Sequence, residues 1–385
     1  MVVSNTDAKT MAARFVVLLG LVSLFADMTY EGARSITGPY LAFLGASATV
    51  TGIVAGLGEF IGYGLRLVSG HLTDRTGRYW AITLLGYSLN LFAVPLLAIA
   101  GNWEFAAFLM VMERLGKAVR TPARDAMLSY AASKTGRGWG FGLHEAMDQI
   151  GAVLGPLLVA AILYSNGGFS RSFGVLIVPA ILALSLLVVV RQLYPRPKEL
   201  ETTKPQKIDG ELPRVFWFYL VFVAVSVSGY AHFQLISYHF SLSTLFSDAQ
   251  IPVFFAVAMG VDALVALIVG PLFDRAGLRV LLAVPILSIP ITPLAFSTNH
   301  VMALSGVIFW GAVMGIQESI MRAAIADLTP VSKRGSAYGI FNVVYGLSWL
   351  LGSTVMGLLY GIGVAYIISF SVVLESCAIL LLAFL

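Results

Sequence analysis

The chain has 385 residues, of which 58% are hydrophobic and only 11% are charged, and its formal net charge is +4. A soluble domain carries about 25% charged residues, so this composition excludes an ordinary water-soluble protein and indicates that lipid is the solvent. The single cysteine, Cys377, excludes a disulfide framework and a cysteine metal site. The small positive charge gives no argument for nucleic-acid binding.

Twelve apolar segments follow one another along the chain, and each is near the roughly 20 residues that a helix needs to cross a bilayer. They run near residues 14–43, 48–70, 80–100, 104–131, 140–165, 170–191, 215–241, 249–270, 279–296, 300–327, 338–360 and 363–385. The predicted fold is therefore an all-α integral membrane protein with 12 transmembrane helices. We expect the first helix to be uncleaved, since no small-residue cleavage site is evident.

One long polar segment separates the sixth and seventh apolar segments. It contains four prolines among lysines and glutamates, which is typical of a solvated linker. The sequence thus predicts an N-terminal six-helix bundle over 1–191, a cytoplasmic linker over 192–214 and a C-terminal six-helix bundle over 215–385.

Lysine and arginine alternate between the loops in a way that predicts the orientation in the membrane. The N-terminus, the loops after segments two, four, eight and ten, and the linker hold nearly all loop cations, whereas the opposite loops contain only Arg171. By the positive-inside rule, we expect a multi-pass protein of the inner (cytoplasmic) membrane with both termini in the cytoplasm. The cations that decide this are Lys9, Arg14, Arg75, Arg78, Lys134, Arg137, Arg191, Arg196, Lys198, Lys204, Lys207, Arg214, Arg275, Arg279, Lys333 and Arg334.

A short charged turn joins the second and third segments and recurs two hundred positions later. The first copy, with the pattern G-x-L-x-D-R-x-G-R, contains Gly70, Asp74, Arg75, Gly77 and Arg78. The second copy follows segment eight and contains Asp274 and Arg275. The repeat indicates an internal duplication, and we expect Asp74 to cap the free N–H groups of the next helix.

This turn resembles the signature of the major facilitator superfamily. The resemblance implies two pseudo-symmetric six-helix bundles that rock about a central site, as in other transporters built from repeats. It also implies that Asp74, Arg75 and Arg78 latch the cytoplasmic gate in the outward-facing state. Runs near Asp27 and Arg114 are similar to a bacterial branch of mostly uncharacterised permeases of this superfamily.

The fifth segment carries Gly151, Gly155 and Pro156 in the pattern G-x-x-x-G-P. It resembles the fifth-helix motif of drug–proton antiporters of the superfamily, although Val159 and Ala160 stand where that motif continues with glycines. The resemblance favours export. The alternative interpretation is close packing between helices through small residues.

Ionisable side chains inside a bilayer are costly, so each is a candidate for function. The spacing of Asp27, Glu31 and Arg34 places them on one face of the first helix, where Glu31 and Arg34 can pair. Asp27 and Glu59 are expected near the midplane with few basic partners. A carboxylate in a low-dielectric site can take up a proton near neutral pH, so we predict proton coupling at Asp27, Glu59 and Glu31.

A charged network is predicted between the fourth and fifth helices. Arg120 and Arg124 on the fourth helix lie at the depth of Glu145 and Asp148 on the fifth, and two interpretations stay open. The arginines neutralise the carboxylates as a structural network, or one carboxylate titrates during each transport cycle.

Substrate contacts are predicted at Arg34, Arg114, Lys117 and His232, where the three cations suit a negative group. In the C-terminal half, the other main polar residues are Asp262, Glu318 and Arg322, and the last two are expected to pair as structure.

These residues together predict a secondary transporter rather than an enzyme. No G-x-x-x-x-G-K-[ST] loop occurs, so ATP is not the direct energy source. We expect proton-coupled efflux of a small organic compound, with uptake or exchange of an anionic metabolite as the alternative and a non-transporting receptor as the alternative of another class. The expected partners are a small-molecule substrate, protons and lipid, without nucleic acid, cofactor or metal, and the expected state is a monomer.

Overall fold

The computed structural model describes residues 5–196, 212–330 and 333–382, and all regular structure in these residues is helical. The first half contains α1 Asn5–Arg34, α2 Thr37–Phe43, α3 Ala48–Gly64, α4 Arg66–Thr76, α5 Tyr79–Leu96, α6 Trp103–Thr135, α7 Arg137–Tyr164, α8 Gly168–Val175 and α9 Ile177–Leu193. The second half contains α10 Arg214–Gly229, α11 Phe233–Leu242, α12 Gln250–Ala276, α13 Ala283–Ser288, α14 Ile291–Ala295, α15 His300–Leu328, α16 Arg334–Ile362 and α17 Val364–Leu382. Short 3₁₀ helices, Leu97–Ile99 and Gly277–Leu282, extend α5 and α12.

Several predicted spans are broken helices, and the breaks have local causes. The first span breaks between α1 and α2 at Ser35, whose hydroxyl donates to the carbonyl of Gly32 at 2.6 Å. Pro39 lies in the first turn of α2, where its missing N–H costs no helical hydrogen bond. The seventh span breaks at His232, whose ring accepts the Gln234 N–H at 3.1 Å and so caps α11.

Ten segments of the described residues are long and apolar enough to cross a membrane. Two predicted spans do not appear among them as separate segments. The fourth is α6, a 33-residue helix that carries many charged residues, and the ninth is joined to the eighth in the segment Gln250–Ala295. The chain is thus a multi-pass, all-helical membrane protein, as expected from its composition.

The buried apolar side chains form two clusters that follow the order of the chain. One cluster runs from Ala12 to Val190. The other runs mainly from Phe216 to Ala378 and takes in Ala48, Tyr63 and Ala152 from the first half. Most of the linker and its cations Lys198, Lys204 and Lys207 lie outside the described residues, as do the side chains of Lys134 and Arg137.

Candidate functional site

A cavity of about 520 Å³ lies between the two halves of the chain. Helices α1, α3, α4, α6 and α7 line one side, and α12 and α15 line the other. Its lining includes Phe141 and Glu145, which are exposed and lie near the start of α7. The cavity therefore opens at the end of the bundle where α7 begins, which is also the end that contains the turn at 76–79. Its charged side chains are Asp27, Glu31, Arg34, Arg66, Lys117, Arg124, Asp125, Glu145, Asp148, Asp262, Glu318 and Arg322.

The opposite end of the cavity is closed by direct contact between the halves. Helix α2 packs on α11, where the Tyr238 hydroxyl donates to the carbonyl of Ala46 at 2.9 Å. Helix α3 packs on α16 so closely that a Cβ atom at Gly56 would lie 2.7 Å from the Cα of Leu350. Glycine is required at such an approach because any side chain would meet backbone.

Glu59 is the centre of the ion pairs at the closed end of the cavity. Its Oε1 lies 2.6 Å from Arg34 Nη2, 3.2 Å from Arg114 Nη2 and 3.4 Å from His232 Nε2. The expectation that Glu59 has few basic partners is therefore wrong. The partners come from α1, α6 and the start of α11, so their proximity depends on tertiary packing and not on spacing along the chain.

The same ion pairs extend along α1 and α6. Arg34 Nη1 lies 3.3 Å from Glu31 Oε1, which confirms the predicted pair, and Lys117 Nζ lies 3.9 Å from the same oxygen. Arg114 Nε lies 3.2 Å from Glu113 Oε2. All three cations predicted to contact an anionic substrate thus already face carboxylates of the protein.

Asp27 differs from these carboxylates in its surroundings. It is buried, lines the cavity and accepts a hydrogen bond from the Tyr30 hydroxyl. Within the described part of the chain, no cation lies at ion-pair distance from Asp27. The nearby Lys117 instead places its ammonium 4.2 Å from the centre of the Tyr30 ring. The expectation of few basic partners therefore holds for Asp27.

The network between α6 and α7 is only partly as predicted. Arg124 pairs with Asp125 at 2.8 Å and more loosely with Asp148 at 3.9 Å. Arg120 is fully buried, but its guanidinium lies over the rings of Tyr87 and Tyr30, at 4.2 and 5.5 Å. The expectation that Arg120 neutralises a carboxylate is therefore wrong, since aromatic rings occupy its faces.

Within the described residues, no cation lies at ion-pair distance from Glu145 or Glu318. Glu145 accepts a long hydrogen bond from Gln149 at 3.5 Å. Glu318 and Arg322 both line the cavity, but no ion pair joins them in the structure, which contradicts the expected pairing.

Asp262 and Gln149 form a contact that the sequence did not predict. Gln149 Nε2 of α7 donates to Asp262 Oδ2 of α12 at 3.1 Å, so the bond joins the two halves. Asp262 is 2% exposed. The signal available in the sequence was a lone carboxylate in an apolar segment, which by itself marks a functional candidate without naming its partner.

The two signature turns share a glycine with positive φ and exposed charges, although ψ is 10° at Gly77 and -145° at Gly277. Gly77 and Gly277 end the helices before them with φ of 63° and 59°, a region that favours glycine. Asp74, Arg75, Arg78, Asp274 and Arg275 are all exposed. Arg78 occupies the N-cap of α5 without a side-chain hydrogen bond, so the expectation that Asp74 caps this helix is wrong. Gly70 lies on α4 near Pro122 of α6.

The fifth-helix motif packs α7 against α1. A Cβ atom at Gly151 would lie 2.9 Å from the Cβ of Asp27, and one at Gly155 would lie 2.9 Å from the backbone nitrogen of Gly32. Pro156 lies within α7, and the helix continues past it to Tyr164. These contacts support the packing interpretation, and they show that the motif sets the position of Asp27 relative to α7.

Known proteins resemble the chain over nearly its whole length. The model of the Major Facilitator Superfamily matches residues 19–353 and 246–385. An uncharacterised protein of Mycobacterium tuberculosis is 45% identical over 96% of this chain and 92% of its own length. An uncharacterised MFS-type transporter of Methanocaldococcus jannaschii is 27% identical over 99% of this chain and 97% of its own length.

Solved structures share the fold at low sequence identity. A variant of the nucleoside transporter NupG has a TM-score of 0.76 at 14% identity, covering 95% of this chain and 99% of its own. A POT family transporter in complex with 5-aminolevulinic acid has a TM-score of 0.75 at 13% identity, covering 96% of this chain and 95% of its own. With the family model matched over most of its length, this chain belongs to the Major Facilitator Superfamily and has the fold of its membrane transporters.

Proposed function

We propose that this protein is a proton-coupled secondary transporter that exports a small organic compound by alternating access. Twelve membrane helices would form two six-helix bundles, 1–191 and 215–385, joined by a cytoplasmic linker over 192–214. By the positive-inside rule, the lysine- and arginine-rich loops lie on the cytoplasmic side of the inner membrane. The cavity would then be open to the cytoplasm, the side from which an exported substrate binds.

The observation that carries the proposal is the environment of Asp27. It is a buried carboxylate that lines an open cavity and has a tyrosine hydroxyl, rather than a cation, as its partner. A carboxylate without a cation in a bilayer needs a proton or a bound cation to offset its charge. Protonation of this group would thus alternate with substrate binding in the same cavity, which is the requirement for antiport.

The contacts of Glu59 and Glu31 support a different role for these two residues. Glu59 has three basic neighbours and Glu31 has two, so neither needs a proton to be neutralised. We therefore propose Asp27 as the proton carrier, with Glu59 and Glu31 holding the closed end of the cavity together.

The contacts of the cavity cations favour export of a neutral or cationic compound over uptake of an anionic metabolite. Arg34, Arg114 and Lys117 each already have a carboxylate partner among Glu31, Glu59 and Glu113, with which an anion would have to compete. Such an exchange replaces existing ion pairs and gains little.

The test begins with purified protein and a panel of organic anions, lipophilic cations and sugars. A ligand at about 100 times its Kd stabilises the folded protein by about 2.7 kcal/mol, which identifies compounds to transport. Each compound found is then loaded into proteoliposomes that contain a pH-sensitive dye. We expect substrate movement in one direction to drive protons in the other.

The matched variant for this test is Asp27→Asn. We expect it to abolish substrate-driven proton movement while retaining exchange of labelled for unlabelled substrate, which needs no net proton transfer. Glu104→Gln, an exposed carboxylate in the first turn of α6, is the control. Substrate flux with no proton movement in the unaltered protein would refute the coupling, and binding without any flux would favour a receptor.

A further inference from the structure

Among the buried polar atoms of the residues that line the cavity, more acceptors than donors lack a hydrogen-bond partner. Four residues that line the cavity each have a buried oxygen without a hydrogen-bond partner: Glu31 Oε2, Asp148 Oδ1, Gln149 Oε1 and Asp262 Oδ1. The buried donors without a partner in the described lining residues are Arg34 Nε and one ring nitrogen of His144, whose other ring nitrogen is an acceptor when the ring is neutral. A buried acceptor that stays unbonded is destabilising, so this wall suits a ligand that donates hydrogen bonds.

The charges that line the cavity have the same bias. Seven aspartates and glutamates line it, against five lysines and arginines. Among the five, Arg34, Lys117 and Arg124 are already paired with carboxylates. The excess of unpaired carboxylates therefore favours a positively charged ligand.

Asp262 is the part of this wall with the most specific geometry. It is 2% exposed, its Oδ2 accepts from Gln149, and its Oδ1 is unbonded. The carboxylate packs against Gly315 of α15, where a side chain would not fit, since a Cβ atom there would lie 2.9 Å from Asp262 Oδ1. Within the described residues, no cation lies at ion-pair distance from Asp262. A buried carboxylate with one amide partner is an incomplete site for a cation.

Gln149 completes the geometry from the other half of the protein. Its amide nitrogen is used by Asp262, and its amide oxygen is unbonded and lines the same cavity. An ammonium group has several N–H donors, so it can bond to the oxygens of Asp262 and Gln149 together. Met259 and Met314 also line the cavity and offer adaptable apolar contacts to the rest of a ligand.

We propose that Asp262 and Gln149 bind the ammonium group of a primary or secondary amine between the two halves of the protein. This inference rests on the proposed transport function, because it assigns the class of substrate. The bond between α7 and α12 lies where the halves meet, so a ligand held there contacts both. Quaternary ammonium compounds, which carry charge without N–H donors, should bind more weakly.

The probes are matched compounds that differ only in the head group. An aryl-ethyl body, a short alkyl body and a polyol body each carry an ammonium, a trimethylammonium, a hydroxyl or a carboxylate group. Binding to the purified full chain is measured by thermal shift and calorimetry in detergent. We expect ammonium compounds on at least one body to bind at least tenfold more tightly than their trimethylammonium counterparts, and hydroxyl and carboxylate compounds to bind more weakly still.

The variants test whether this preference comes from the proposed pair. Asp262→Asn and Gln149→Leu should each weaken amine binding by about tenfold or more, since a hydrogen bond to a charged group contributes about 1.5–3 kcal/mol. Gly315→Ala should weaken it as well, because a Cβ atom there would meet both the backbone oxygen and Oδ1 of Asp262 and displace this residue. Glu104→Gln should bind amines like the unaltered protein. If Asp262→Asn does not fold, Asp262→Glu replaces it, because glutamate keeps the negative charge but moves the carboxylate away from its position in Asp262.

Three results would overturn the proposal. These are equal binding of ammonium and hydroxyl or carboxylate compounds, equal binding of ammonium and trimethylammonium compounds, and amine binding that survives in both Asp262→Asn and Gln149→Leu. Absence of binding by every ammonium compound would overturn it too. Because binding in detergent needs no gradient, these outcomes are independent of proton coupling. A failure of proton antiport with intact amine binding would reject the proposed function alone.

Discussion

His232 Nε2 lies 3.4 Å from Glu59 Oε1, and this contact joins the N-cap of α11 in the second half to α3 in the first. Because Nδ1 of the ring accepts the Gln234 N–H, the proton of the neutral ring belongs on Nε2, which then donates to Glu59. The ring also packs edge-on against Trp349, with centroids 5.0 Å apart. Glu59 is thus held from both halves at the closed end of the cavity.

We expect Glu59→Gln to destabilise the protein strongly. The change removes the carboxylate that Arg34 and Arg114 share and leaves them Glu31 and Glu113 as partners; breaking a buried ion pair by removing one partner costs up to about 3–5 kcal/mol. The measurement is thermal unfolding in detergent, with Glu104→Gln as the exposed control. An unfolding temperature like that of the unaltered protein would show that Glu59 does not neutralise the two arginines.

We expect Gly56→Val to shift the protein away from the described conformation. A Cβ atom at this position would lie 2.7 Å from the Cα of Leu350, so α3 and α16 must separate at the closed end. Spin labels on α2 and α11, at the exposed positions Phe43 and Leu242 in a Cys377→Ser background, report the distance between these helices. The distance should lengthen in Gly56→Val and stay the same in Gly101→Val, where open space surrounds the glycine.

We expect Asp74→Asn to slow transport without changing stability. Asp74 is exposed in the described conformation, and exposed substitutions of this kind usually change stability by less than about 0.5 kcal/mol. The gate latch that the superfamily resemblance implies for Asp74 forms only when the cytoplasmic side closes. Unfolding temperature and transport rate are measured on the same preparation. A large fall in unfolding temperature would mean that Asp74 already supports this conformation.

We expect Arg120→Lys to be destabilising although it retains the charge. The planar guanidinium lies against the faces of Tyr87 and Tyr30, and a lysine ammonium cannot stack in this way. A cation over an aromatic face contributes about 0.5–2 kcal/mol. A double-mutant cycle with Tyr87→Leu measures this coupling by thermal unfolding. Additive effects of the two changes would show that the ring and the guanidinium do not interact.

Features that depend on local spacing could be predicted from the sequence. The pair Glu31–Arg34 follows from a separation of three residues on one helix, and it is present at 3.3 Å. Gly77 and Gly277 end helices with positive φ, a backbone conformation that glycine adopts without steric cost. Membrane character follows from the apolar composition, because side chains that face lipid are hydrophobic. The family follows from the repeated turn, because an internal duplication repeats its residues.

Features that depend on which helices meet could not be predicted in the same way. Glu59 was expected to have few basic partners, but its neighbours arrive from α1, α6 and α11. Arg120 was assigned a carboxylate and instead packs between tyrosine rings. Gln149 and Asp262 are 113 positions apart in the chain and meet only because α7 packs on α12.

The sequence by itself determined the membrane character, most of the membrane-crossing segments and the family of this protein, because hydrophobicity, proline and glycine act over a few residues. The tertiary structure decided which carboxylates are neutralised, since ion pairing depends on the distance between helices that are far apart in the chain. That distinction separates Glu59, which has three basic neighbours, from Asp27 and Asp262, which have none at ion-pair distance in the described residues. The candidates for proton and substrate binding follow from it.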